Sequence, residues 1–318
     1  MPRLQLAVEL APRSRRRLVL KNPVMTASGT FGYGTEYASM FDVQQLGAIV
    51  CKGTTLEPRS GNSQPRLAET PAGMLNSIGL QNIGIEALIR EKAPLWATWQ
   101  VPVIVNIAAE RLEDYSRLAS LLDGVAGVSG IEVNISCPNV AAGGMEFGTS
   151  PQSAAAVTAA VRQVTTLPVI VKLTPNVTDV VPVARAVAQA GADAITAINT
   201  LRGMAIDIKR RQPLLGNVFG GLSGPAIKPV ALYMVYQVAQ AVDIPVIGCG
   251  GICSAEAALE FLMAGARAVQ VGSAIFQRPR LPLEVLAGIR SYLEQEGIED
   301  VSRIVGLARP RPGQGQLV

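Results

Sequence analysis

Residues 167–174 read LPVIVKLT, a short apolar run that ends in lysine, leucine and threonine. Runs of this length and composition are typical of strands that are buried on both faces of a parallel sheet. Seven further segments have the same form, each an apolar run followed by a glycine-rich or polar turn: residues 23–28 (PVMTAS), 47–55 (GAIVCKGTT), 101–107 (VPVIVNI), 130–136 (GIEVNIS), 191–200 (GADAITAINT), 244–251 (IPVIGCGG) and 266–273 (ARAVQVGS). The sequence therefore predicts eight similar strands.

The segments between these strands, for example residues 151–166 and 254–264, have helical periodicity. Eight strand–helix units in about 250 residues are typical of an α/β fold of the TIM (β/α)8 type. A doubly wound sheet is the alternative, although no G-x-G-x-x-G motif follows the first strand. We expect a single barrel domain over residues 1–308 and a flexible C-terminal tail over residues 309–318.

Two kinds of addition to the barrel are predicted. Residues 4–10 and 17–20 resemble a short N-terminal hairpin that precedes the first barrel strand. Three glycine-rich inserts, residues 56–83, 139–149 and 202–224, follow strands. Because the carboxyl ends of barrel strands meet at one face, we expect these inserts to be loops that cover the C-terminal mouth.

Composition excludes several functions. Apolar residues make up 49% of the 318 residues and charged residues 16%, so the chain is globular. Aromatic residues are only 4%, which argues against binding of nucleic acid by base stacking. The sequence contains no histidine, which excludes imidazole bases and histidine metal sites. The net charge of +4 favours small anionic ligands.

The four cysteines, Cys51, Cys137, Cys249 and Cys253, are too few and too scattered for a disulfide scaffold. They predict reduced thiols in the cytoplasm. Cys249 and Cys253 have no second pair with which to form a metal site, so we assign no metal. No apolar run approaches the roughly 20 residues needed to cross a bilayer, and we expect no membrane association.

Candidate functional residues lie where predicted strands end, which is the end of a barrel that carries active sites. Two glycine-rich turns, Gly248 to Gly251 and Gly272 to Ser273, follow the last two strands and predict a phosphate site, because bare backbone N–H groups can surround an anion. The other polar residues at strand ends are Ser28, Lys52, Asn106, Asn134, Cys137, Lys172 and Asn199.

Lys52 and Lys172 are each flanked by apolar residues, and a lysine in such a strand needs an anion or the loss of its proton. Schiff-base catalysis and electrostatic support of a ligand both stay open. Cys137 is either a buried apolar residue or a functional thiol. Asn76, Asn106, Asn134, Asn139 and Asn199 offer the paired donors and acceptors that a planar ligand with imide and carboxylate edges requires.

Six motifs carry a resemblance to a known family: residues 27–34 (ASGTFGYG), 51–55 (CKGTT), 76–82 (NSIGLQN), 134–139 (NISCPN), 172–176 (KLTPN) and 250–252 (GGI). Over essentially its whole length the chain resembles the catalytic subunit of class 1B dihydroorotate dehydrogenases. The resemblance implies FMN-dependent oxidation of (S)-dihydroorotate to orotate in de novo pyrimidine biosynthesis.

The resemblance also implies site residues. One FMN per chain would be bound by Ser28, Lys52, Gly53, Asn106, Asn134, Lys172, Ile198, Gly224, Gly250, Gly251, Gly272 and Ser273, with the phosphate on the last four. Dihydroorotate would be bound by Lys52, Asn76, Ser77, Ile78, Gly79, Leu80, Asn134, Asn199 and Thr200. Cys137 would be the base that removes the C5 proton while hydride passes from C6 to the flavin. A histidine-free chain is compatible with a thiol base.

The electron acceptor is expected to require a second protein. The four cysteines lack the spacing of an iron–sulfur site, and the chain lacks a dinucleotide fingerprint. The resemblance implies a partner subunit that carries FAD and a 2Fe-2S cluster and reduces NAD, with two catalytic chains as a homodimer at the centre of a heterotetramer. The alternatives are a class 1A-like homodimer that reduces fumarate, a phosphate-binding barrel lyase that forms a Schiff base on Lys172, and a flavin-binding subunit without turnover.

Overall fold

The computed structural model describes residues 4–135 and 147–309. Its strands, in chain order, are β1 (Val8–Glu9), β2 (Val19–Leu20), β3 (Val24–Thr26), β4 (Ile49–Val50), β5 (Leu67–Thr70), β6 (Gly73–Asn76), β7 (Val103–Ile107), β8 (Gly130–Asn134), β9 (Val169–Lys172), β10 (Ala194–Ala197), β11 (Leu201–Met204), β12 (Ile206–Asp207), β13 (Gln212–Pro213), β14 (Phe219–Ser223), β15 (Val246–Cys249) and β16 (Ala268–Val271). Each of the eight segments predicted as barrel strands contains one of them.

Eight of the strands form one parallel sheet in the order β3-β16-β15-β10-β9-β8-β7-β4. Its two end strands are joined by a parallel bridge between Met25 and Ala48, and the Gly47 N–H donates to the Val24 carbonyl at 2.8 Å. A doubly wound sheet would leave both end strands unpaired. The TIM-barrel prediction is therefore confirmed, and the doubly wound alternative is wrong.

Within residues 4–135 and 147–309, eight helices surround the barrel: α1 (Ile85–Glu91), α2 (Ala93–Trp96), α3 (Leu112–Leu122), α4 (Pro151–Val164), α5 (Val181–Gln189), α6 (Lys228–Ala241), α7 (Ala255–Ala264) and α8 (Leu281–Gln295). None of the helices in the described ranges is long and apolar enough to cross a membrane. The first strand–helix unit differs from the prediction, because no α-helix follows β3 before β4. Residues 27–48, all of which are described, form only the 3₁₀ turn Val43–Gln45, because Gly29, Gly32 and Gly34 adopt positive φ angles that interrupt a helix.

Two of the glycine-rich inserts contain strands that the sequence analysis did not predict. Strands β5 and β6 pair with β11 and β14 in a four-stranded antiparallel sheet in the order β11-β14-β6-β5. The glycines permit close packing of this sheet, since a Cβ on Gly73 would lie 2.0 Å from the Ser223 carbonyl oxygen. Most of the third insert, residues 139–146, lies outside the described residues, and Phe147–Thr149 form a 3₁₀ turn.

The predicted N-terminal hairpin is confirmed. Strands β1 and β2 pair antiparallel, with Val8 opposite Leu20. Leu10 and Leu20 are fully buried, and the Leu18 side chain lies close to Gly130 at the start of β8. The hairpin therefore packs at the amino-terminal end of the barrel, away from the strand ends that carry the candidate residues. The predicted tail, residues 309–318, lies outside the described range except for Arg309 and stays a prediction.

The seam that closes the barrel has no room for a side chain at Gly47. A Cβ there would lie 2.1 Å from the Asn22 carbonyl oxygen, so we expect Gly47→Ala to lower the free energy of unfolding by about 2 kcal/mol or more. Gly130→Ala is the matched control, because its Cβ would meet its neighbours at 3.4 Å or more. Chemical denaturation compares the two. Equal stabilities of the two variants would contradict this account of barrel closure.

Candidate active site

A cavity of about 260 Å³ opens at the carboxyl ends of the barrel strands and under the antiparallel sheet. Each of the twelve residues predicted to bind the cofactor lines it: Ser28, Lys52, Gly53, Asn106, Asn134, Lys172, Ile198, Gly224, Gly250, Gly251, Gly272 and Ser273. The structure thus brings together residues that are up to 245 positions apart in the sequence, from Ser28 to Ser273. This placement alone does not assign their roles.

A fully buried carboxylate lies beneath the cavity. Glu132, in the middle of β8, has no exposed surface. Its Oε1 accepts a hydrogen bond from Asn106 Nδ2 at 2.8 Å, and its Oε2 accepts from Thr196 Oγ1 at 2.9 Å and Gln270 Nε2 at 2.7 Å. These partners come from three other strands, β7, β10 and β16, so the carboxylate links four strands inside the barrel.

Lys172, at the end of β9, faces this network with its ammonium group. Its Nζ lies 3.9 Å from Glu132 Oε1 and donates to Gln270 Oε1 at 3.3 Å and to Ser28 Oγ at 3.4 Å. Burial alone lowers the pKa of this amine, but the Cys249 sulfur and the Glu132 carboxylate raise it, and the net direction is upward. Lys172 therefore places a buried amine with a raised pKa on the cavity wall.

Asn106, which lines the cavity, holds a buried acceptor oxygen. Because its Nδ2 is bound to Glu132, its Oδ1 points the other way and lies 3.2 Å from the position that a Cβ on Gly53 would take. This oxygen is buried and has no hydrogen-bond partner among the residues that the structure describes. A buried acceptor without a donor costs about 1–3 kcal/mol, so the atom indicates a ligand that supplies one.

Lys52 differs from Lys172 in its environment. It follows β4, is partly exposed at the cavity wall, and its N–H donates to the Gly32 carbonyl at 2.8 Å. Burial lowers the pKa of its amine, and the nearby Glu36 only partly opposes that shift. A bound anionic group would favour the charged form of this amine, which makes Lys52 a suitable partner for a ligand carboxylate.

The two predicted phosphate turns are adjacent. Gly250 follows β15 and Gly272 follows β16, and these strands pair in parallel with Cys249 opposite Gln270. At Gly251, with φ +73°, a Cβ would lie 2.9 Å from the Gly224 carbonyl oxygen and 2.8 Å from the Lys228 N. Only glycine permits this approach of the backbone after β15 to the start of α6, and the same feature leaves main-chain groups accessible to an anion.

Most of the residues predicted to bind substrate line the same cavity: Lys52, Asn76, Ile78, Gly79, Leu80, Asn134, Asn199 and Thr200. Asn199 Nδ2 donates to Asn134 Oδ1 at 3.3 Å, and Asn76 Nδ2 donates to the Gly221 carbonyl at 3.1 Å. Ser77 is the exception, since it is fully buried and is not among the residues that line the cavity. Its hydroxyl faces the protein interior.

Two sequence predictions lie outside the described residues. Cys137, the predicted base, and Asn139 belong to the segment between Ile135 and Phe147. Asn134, three positions before Cys137, lines the cavity, and its carbonyl accepts from the Tyr115 hydroxyl at 2.8 Å. The assignment of Cys137 stays a prediction.

The sequence analysis missed three residues of the buried network: Glu132, Thr196 and Gln270. Each stands in an apolar strand with hydrophobic neighbours, the same pattern that drew attention to Lys172. A buried carboxylate needs a cation or several donors, so Glu132 together with Lys172 was a detectable signal. The pairing itself required the register that sets Asn134 opposite Lys172 in β8 and β9.

A closed (β/α)8 barrel with polar side chains around one cavity at the carboxyl ends of its strands defines an α/β-barrel enzyme. Comparison with known proteins gives the particular family. The dihydroorotate dehydrogenase family model matches residues 15–293, and the chain belongs to this family of oxidoreductases.

Curated relatives cover nearly the whole chain. It is 57% identical over 296 residues to the "Dihydroorotate dehydrogenase B (NAD(+)), catalytic subunit" of Desulforudis audaxviator, which covers 93% of this chain and 96% of that protein. Proteins with the same name from Geotalea uraniireducens and Geotalea daltonii are 56% identical over 306 residues and 58% identical over 287 residues. The match to the first covers 96% of this chain and 99% of that protein, and the match to the second covers 90% of this chain and 94% of that protein.

The described thiols should differ in reactivity. Burial raises the pKa of the fully buried Cys51 to about 12, so only about one in ten thousand of these thiols is ionised at pH 8. Cys253 is partly exposed and lines the cavity. We expect iodoacetamide at pH 8 to alkylate Cys253 in the native protein and Cys51 only after unfolding, as measured by peptide mass spectrometry. Equal labelling of both in the native protein would refute the burial of Cys51.

Proposed function

We propose that this chain is the FMN-containing catalytic subunit of an NAD-linked dihydroorotate dehydrogenase and oxidises (S)-dihydroorotate to orotate in cytoplasmic pyrimidine biosynthesis. The names of the relatives support the reaction and the link to NAD. The single structural observation that supports the cofactor is the buried Asn106 Oδ1, which has no donor among the described residues and belongs to a residue of the cavity that Lys172 also lines.

The described residues fit FMN. An isoalloxazine ring carries N–H and carbonyl groups along one edge, which match an acceptor such as Asn106 Oδ1 beside a cation such as Lys172. The neighbouring turns at Gly250 and Gly272 suit its phosphate. When bound, FMN would accept the hydride that leaves the substrate. Lys172 would stabilise the negative charge that develops next to it, and its burial strengthens that interaction.

The substrate would occupy the part of the cavity lined by amide side chains. Asn76, Asn134 and Asn199 supply the donors and acceptors for the pyrimidine ring, and Lys52 supplies a positive charge for its carboxylate. The Asn199–Asn134 hydrogen bond holds these two amides in a fixed relation. The antiparallel sheet over the mouth would exclude water from the reacting atoms.

The proton at C5 of the substrate requires a base, and we assign this role to Cys137. The chain has no histidine, and Asn134, just upstream of Cys137, lines the cavity. A thiol becomes an effective base when nearby cations lower its pKa. Lys52, on the cavity wall, is the candidate for such a cation.

The lyase alternative is less compatible with the site. A Schiff-base lysine must be neutral to attack a carbonyl, which requires a lowered pKa. The pKa of Lys172 is raised instead, with Glu132 and Cys249 outweighing the effect of burial. The direction of this shift disfavours the lyase alternative.

Anaerobic addition of dihydroorotate to the purified chain tests the proposal, because a bound flavin should lose its yellow colour in a single turnover. Cys137→Ala should retain FMN and slow this bleaching by about 100-fold or more, the usual cost of removing a general base. Cys137→Ser should regain rate only at higher pH. A wild-type chain that binds no FMN or is not bleached would disprove the function, and normal bleaching of Cys137→Ala would disprove the base.

The acceptor is expected to depend on a partner, as the words "catalytic subunit" in the relatives' names suggest. We propose that the partner carries FAD and a 2Fe-2S cluster and binds a homodimer of this chain. The isolated chain should reduce an artificial dye with dihydroorotate but not NAD. Addition of the partner subunit should produce NADH, followed at 340 nm. Efficient NAD or fumarate reduction by the chain alone would contradict this assignment.

A further inference from the structure

The buried carboxylate of Glu132 binds two side-chain amides, one on each side. Asn106 Nδ2 donates to Oε1 at 2.8 Å, and Gln270 Nε2 donates to Oε2 at 2.7 Å. An ionised carboxylate can only accept hydrogen bonds, so both amides must turn their nitrogen atoms toward it. Each amide then presents its oxygen on the opposite side.

The two oxygens have different partners. Gln270 Oε1 accepts from Lys172 Nζ at 3.3 Å, which fixes the ammonium group next to the cavity. Asn106 Oδ1 lies beside Gly53 on the side away from Glu132, and it is buried without a donor among the described residues. Without the carboxylate, either amide could rotate by 180° at little cost, because the oxygen and nitrogen ends have nearly the same shape.

We propose that Glu132 is a positioning residue that sets the hydrogen-bonding polarity of the cofactor site by orienting Asn106 and Gln270, so that the ligand meets the acceptor oxygen of Asn106 and the amine of Lys172 in one cavity. Glu132 acts through these residues and does not touch the ligand. The inference rests on the proposed function to the extent that the ligand is FMN. The inference implies that the site prefers a ligand that carries, on the same edge, an N–H group and an oxygen that gains negative charge.

A charge-swap cycle tests the orientation, with the dissociation constant of FMN for the refolded or FMN-stripped full chain as the readout. Glu132→Gln places an amide nitrogen against one of the donors, which forces Asn106 or Gln270 to rotate. Asn106→Asp places a second carboxylate 2.8 Å from Glu132. Each single substitution should weaken FMN binding about tenfold or more.

The double variant Glu132→Gln with Asn106→Asp restores every pairing. The new amide at position 132 would donate to one oxygen of the new carboxylate at position 106 and accept from Thr196 and Gln270. The other oxygen of that carboxylate would face the ligand. We expect the dissociation constant of the double variant to return to within about threefold of the wild-type value. The proposal would be overturned if the double variant bound FMN as weakly as the weaker single variant. It would also be overturned if Glu132→Gln left the dissociation constant of FMN unchanged.

Asp193→Asn is the matched control. Asp193 is also a buried carboxylate, but it accepts from Arg162 Nη1 at 2.9 Å and the Val169 N–H at 2.8 Å, at the opposite end of the barrel. Loss of this charge should lower the thermal stability of the chain and leave the dissociation constant of FMN within about threefold of the wild-type value. Weakening of FMN binding equal to that of Glu132→Gln would show a general effect of lost buried charge and would overturn the proposal.

Two further results separate the possible failures. A wild-type chain that binds no FMN disproves the proposed function. If the wild-type chain binds FMN and dihydroorotate bleaches it, but the variants do not show the expected dissociation constants, only this inference is disproved. If the single variants do not fold, neutron diffraction of the wild-type FMN complex decides. Deuterons of the Asn106 amide should face Glu132, and deuterons that face the flavin would overturn the proposal.

Discussion

A carboxylate and an ammonium group meet 3.9 Å apart inside the barrel, where Glu132 is fully buried and Lys172 is almost fully buried. Transfer of such a pair from water costs several kcal/mol for each ion unless hydrogen bonds replace the lost hydration. Glu132 recovers this cost through three donors from three strands, and Lys172 through Gln270 and Ser28. The arrangement of the site depends on this pair. Glu132 accepts hydrogen bonds and Lys172 donates them, so each side chain that bonds to the pair is held in one orientation.

The second constraint is the close packing of the mouth. Two inserts that are far apart in the sequence form one antiparallel sheet, in which Asn76 lies opposite Gly221. Glycines at the contacts allow this approach, and the Asn76 side chain then bonds the Gly221 carbonyl. The sheet therefore forms a hydrogen-bonded part of the cavity wall, where the sequence pattern predicts loops.

The two lysines of the cavity show how burial and partners assign different properties to one residue type. Lys172 is almost fully buried, and Cys249 and Glu132 raise the pKa of its amine against the effect of burial. Lys52 is half-buried, and burial lowers the pKa of its amine because Glu36 opposes the shift only in part. The same residue type thus has pKa shifts of opposite direction at the two places in the cavity.

The sequence by itself determined the barrel, because eight apolar runs of similar length, separated by helical segments, allow few other architectures. It also located the strand ends that carry Lys172, Asn106 and the glycine turns, since the carboxyl ends of parallel strands meet at one face. Only the tertiary structure decided that Glu132 joins Asn106 and Gln270, that Ser77 faces inward beside Asn76, and that two inserts form a sheet. These features depend on the register between strands and on contacts between distant segments, and local residue patterns carry no information on either.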